Sequence, residues 1–79
     1  MATNDFYTRT ARANSDLENQ FLFCLRSDIE LTEEDEEYQI YGLANKHQVS
    51  TARLRKTLDL LKRRYPTKEA IKVTEEAKK

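Results

Sequence analysis

One glycine and one proline in 79 residues leave this chain few ways to turn sharply. Two-residue hairpins and phosphate-cradling loops rely on glycine where φ must be positive. Strand hairpins and glycine-rich nucleotide loops are therefore nearly excluded. Helix-favouring residues dominate what is left, and the expected fold class is all-α, a domain of three or four helices. The strongly apolar residues Leu, Ile, Val and Phe total 17, about 22% of the chain and just above the roughly 20% below which disorder prevails. A chain this short buries only about 60% of the surface it exposes when unfolded. Most of those side chains must share one cluster or gain help from a second subunit, so a homodimer is a possible partner state.

The lone Cys24 can close no internal disulfide and supply no zinc knuckle, which points to a cytoplasmic protein rather than a secreted disulfide scaffold. No apolar run approaches the roughly 18 residues of a membrane span, so no membrane partner is expected. The net charge is zero, but only as a sum of opposites. Residues 15–37 carry nine acids and one base, and residues 38–65 carry seven bases and one acid. The basic half is a candidate footprint for a polyanion; alternatively the two halves face one another and cancel.

Residues 1–14 mix Thr, Asn, Ala and Arg around Phe6 and Tyr7 and read as a flexible N-terminal arm, with a single helical domain over residues 15–79. S-x-x-E at Ser15 to Glu18 predicts a capping box that opens a first helix ending near Arg26, with Leu17, Phe21, Cys24 and Leu25 on one stripe. Thr32 caps a second helix whose acid run Glu33 to Glu37 suits the positive end of the helix dipole. Its apolar arc, Tyr38 to Ala44, is too wide for a single contact, and Gly42 within it suggests the close approach of a neighbouring helix. Ser50 caps a third helix, Thr51 to about Arg64, with Leu54, Leu58, Leu61 and Tyr65 in a narrow seam and Leu60 outside it. Pro66 ends that helix. Beyond it, either Thr67 caps a helix over residues 68–77 or residues 70–73 form a short strand.

No constellation supports catalysis, so the chain is not expected to be an enzyme and needs no cofactor or metal. Cys24 sits on the apolar stripe as a structural thiol, and His47 is expected to meet the last carbonyls of its own helix. The group that stands out is the join of the second and third helices, L43-A44-N45-K46-H47-Q48-V49-S50-T51-A52-R53-L54-R55-K56-T57-L58-D59-L60-L61. A small Ala admits close packing, Val49 plugs the turn, Ser50 caps the next helix and three leucines anchor it, which is helix-turn-helix logic. The stretch resembles the motif of winged helix-turn-helix transcriptional regulators of the GntR type, through Leu43-Ala44, Val49-Ser50, Leu54-Arg55, Leu58 and Leu61. Gln48 stands where that family places a glycine. The hairpin wing is absent or vestigial, with I71-K72-V73-T74-E75-E76 resembling a strand that leaves one.

The resemblance implies a transcriptional regulator or accessory protein that reads double-stranded DNA with its third helix. Ser50 and Thr51 would lie near the major groove, and Arg53, Arg55, Lys56, Lys62 and Arg63 would supply contacts to bases and phosphates. Asp59 among them would repel phosphate, and overall neutrality is unusual for a DNA binder. The rival expectation is a non-enzymatic adaptor or inhibitor that binds a protein partner through Glu33, Glu34, Glu37, Tyr38 and Tyr41.

Overall fold

The computed structural model describes the backbone of residues 2–77 and the side chains of residues 5–76. Four helices follow in order: α1 (Ala2–Arg26), α2 (Glu33–His47), α3 (Thr51–Arg64) and α4 (Lys68–Ala77). The all-α expectation holds among the described residues, and the choice left open after Pro66 falls to the helix.

The N-terminal boundary differs from expectation. Residues 2–14, read as an arm, are continuous with α1, and Ser15 is an exposed mid-helix residue rather than a cap. The reason lies in small residues. Phe6, Thr10 and Ala13 carry the stripe of Leu17 and Phe21 back by steps of four and three, the spacing of one helix face. Ala13 is fully buried, and the Thr10 hydroxyl donates to the Phe6 carbonyl at 2.9 Å. With 25 residues, α1 is about 37 Å long.

Local chemistry sets the other boundaries. α1 ends where Asp28 adopts a left-handed conformation (φ 55°) and the Ile29 amide donates back to the Cys24 carbonyl at 2.9 Å. α2 opens with a complete capping box: the Asp35 amide donates to Thr32 Oγ1 at 3.1 Å, and the Thr32 amide donates to Asp35 Oδ2 at 3.2 Å. It closes on Gln48, also left-handed (φ 54°), with the Val49 amide donating to the Ala44 carbonyl at 3.0 Å. Ser50 Oγ then accepts from the Ala52 amide at 3.1 Å and starts α3, which stops at Tyr65 before Pro66.

The core gathers Ala13 and Leu17 of α1, Ile40, Leu43 and Ala44 of α2, Leu54, Leu58 and Leu61 of α3, and Tyr65 and Ile71. Leu17 and Leu54 are completely enclosed, and burying each contributes on the order of 2 kcal/mol. α1 packs on all three other helices, and α2 and α3 also pack on each other. α4 lies on the end of α1, inserting Ile71 and carrying the ion pairs Arg26–Glu75 and Lys68–Asp28, the latter at 2.7 Å. Gly42 does not mark a close approach: a Cβ built there would meet nothing within 4 Å.

Candidate functional site

The α2–α3 pair sorts the predicted residues into three groups by what each side chain touches. Positions 51, 55 and 62 of α3 flank its leucine seam on the side that faces α2. Arg55 Nη1 lies 3.2 Å from Glu37 Oε1, Arg55 Nη2 donates to the Tyr41 hydroxyl at 3.4 Å, and the guanidinium sits 5.8 Å from the Tyr41 ring centroid. Lys62 Nζ lies 2.8 Å from Glu36 Oε1. Two of the seven residues predicted to face DNA are thus joined to the acidic helix of the same molecule. The groove between them is lined by Glu33, Glu36, Glu37 and Asp59 against Arg55 and Lys62. Four carboxylates to two cations make it negative.

The second group is occupied by structural duties. Ser50 uses its hydroxyl as the α3 cap, and Thr51 is half-buried. Arg53 stacks over Phe6 of α1 with its guanidinium carbon 4.8 Å from the ring centroid. The third group is Lys56 and Arg63, both exposed and unpaired with any acid among the described residues. They point away from the core, with Arg64 and Leu60 beside them. Leu60 is 63% exposed and lines a groove of about 590 Å³ between α1 and α3 with Asn14, Glu18, Arg63 and Arg64. Nearby, Thr57 Oγ1 donates to Asn14 Oδ1 at 2.9 Å and ties the two helices together.

Along α2, Glu33, Glu34, Glu37, Tyr38 and Tyr41 are all exposed, Tyr38 to 82%. Glu34, Tyr38 and Tyr41 succeed one another by steps of four and three and so share a face, with Glu37 at its edge toward α3. Of the five residues proposed for protein binding, Glu34 and Tyr38 lie on the free face of α2, Glu33 lines the groove toward α3, and Glu37 and Tyr41 engage Arg55; the seven proposed for DNA are likewise divided.

One polar contact was not foreseen from the sequence. His47 does not turn to the carbonyls of its own helix; its Nε2 lies 2.7 Å from Asp16 Oδ2 of α1, with Lys46 Nζ 3.5 Å from the same oxygen. The hydrogen bond with His47, more than the charge of Lys46, holds the Asp16 carboxyl below its ordinary value, against an opposing effect of desolvation. No sequence signal marks this pair, whose members stand 31 positions apart. Cys24 is a free, half-buried thiol. Among the described residues no three potential ligands gather as a metal site, and no helix is long and apolar enough to cross a membrane. Compared with known proteins, the chain matches no family model, no curated protein and no solved structure.

Proposed function

We propose that this chain is a non-catalytic protein-binding module whose helix-turn-helix-like pair, α2 and α3, presents the acid-and-tyrosine face of α2 to a partner. The observation that carries this reading is the pairing of Arg55 with Glu37 and of Lys62 with Glu36. Those cations are spent on the molecule's own acidic helix, and the negative groove they share would repel phosphate. Exposed tyrosine amid carboxylates suits a partner that offers arginine or lysine together with apolar surface. Arg55 already engages Tyr41 and Glu37 in this way within the chain.

DNA binding is the second reading, favoured by one observation: Lys56 and Arg63 are exposed and free of acidic partners among the described residues. On the GntR-type resemblance, they would contact phosphates from α3. The test compares proteins retained from a lysate by the wild-type chain, by Glu34→Lys with Tyr38→Ala, and by Lys56→Ala with Arg63→Ala. A specific partner lost only with the α2 variant supports docking. A gel shift with random duplex DNA that weakens steeply with salt and disappears in the α3 variant would overturn it in favour of the second reading.

A further inference from the structure

The molecule carries two unpartnered faces of opposite character. One is the α2 face with Glu34 and the exposed Tyr38. The other lies on the outer side of α3, where Lys56, Leu60 and Arg63 follow at steps of four and three and Arg64 flanks the groove floored by Leu60. Each face joins charge to one large apolar group, and the charges are opposite. Glu18 on the groove wall is the one acid among its lining residues, against Arg63 and Arg64.

We infer that the partner of the α2 face is a second copy of this chain, which offers its Lys56–Leu60–Arg63 face, so that copies join acidic face to basic face. The inference rests on the reading of α2 as a docking surface and names what docks there. Two observations bear on it. The first is the complementarity of charge and of residue spacing just described. The second is that the same chemistry operates within one molecule, where Arg55 pairs with Glu37 while lying over Tyr41; Arg63 of one copy would meet Glu34 and Tyr38 of the next in the same manner. Because the two faces differ, the contact is heterologous, and each added copy leaves one acidic and one basic face open.

Sedimentation velocity of the full chain over a wide concentration range tests this at about 0.05 M and about 0.5 M salt, where screening lengths differ by roughly threefold. Expected is a mass that grows with concentration at low salt and returns toward the monomer at high salt. Glu34→Gln with Tyr38→Ala, and separately Leu60→Ser with Arg63→Gln, each alter exposed side chains only, and circular dichroism checks that helicity is kept. Each variant alone should stay monomeric, and an equimolar mixture should form a discrete one-to-one dimer, since each supplies the face the other lacks. A wild-type monomer at every concentration overturns the pairing of copies but leaves the α2 reading to the retention experiment. Association that survives in the α2 variant, or a mixture that stays monomeric, overturns the pairing too. So does duplex DNA that binds the wild type and is released by the Leu60→Ser, Arg63→Gln variant, because the basic face would then belong to nucleic acid.

Discussion

Gly42 sits on α2 where a methyl group would meet nothing within 4 Å, so in the folded state its missing side chain serves no contact within the chain. Gly42→Ala should raise stability by about 1 kcal/mol, through the backbone freedom removed from the unfolded chain. Six residues on, Gln48 holds a left-handed conformation that disfavours any residue with a Cβ. Gln48→Gly should recover part of that strain, roughly 0.5 kcal/mol, and the two changes together should lift the thermal midpoint by several degrees in a domain of this size. Calorimetry checks both. The Asp16–His47 contact adds a pH dependence. A carboxyl held below its ordinary value of 3.8 stabilises the fold above that value and loses the effect as pH falls through its lowered folded value. Asp16→Asn should therefore melt below the wild type at neutral pH, and the gap should close as melts are taken into the acid range.

At the level of the helix, local signals were legible where no longer helical seam overrode them, as the S-x-x-E signal at Ser15 was overridden by a helix that runs through it. Thr32, Ser50 and Pro66 set their boundaries through bonds and clashes with immediate neighbours, and the structure has them where the spacing predicted. The start of α1 was illegible because its seam there runs through Thr10 and Ala13, which carry no hydrophobic signal and gain their role only from what packs on them. The fate of Arg55 and Lys62 was hidden for the related reason that it depends on the relative placement of two helices. Two outcomes follow. Leu17→Ala, at a fully enclosed site touching the common core, should cost about 3 kcal/mol and leave no sharp thermal transition in a domain this small. Thr32→Ala removes one half of the capping box and should cost about 1 kcal/mol, read from a urea midpoint that shifts with unchanged slope.

Taken whole, the molecule is a thin slab, 40 × 33 × 17 Å, with a radius of gyration of 13.4 Å where a compact chain of this length would have about 11.5 Å. A slab covers little of itself, which is why Tyr38, Leu60 and Phe23 stay more than 60% exposed despite a chain with few apolar residues to spare. Among the described residues, the ion pairs Arg55–Glu37 and Lys68–Asp28 lie at the surface and are screened by salt, while Lys62–Glu36 is partly covered on its Glu36 side. Raising ionic strength should lower stability only slightly, by less than about 1 kcal/mol per pair, because the leucine core is unaffected. Urea melts at two salt concentrations measure this.

α1 is the helix on which the other three lean, and it precedes all three along the chain. During synthesis its leading half has nothing to pack on until residues from the middle of the chain have left the ribosome. The leading half of α1 therefore cannot be fixed in place early, and its docking must wait for the residues of α3, such as Arg53 and Thr57, that it packs on.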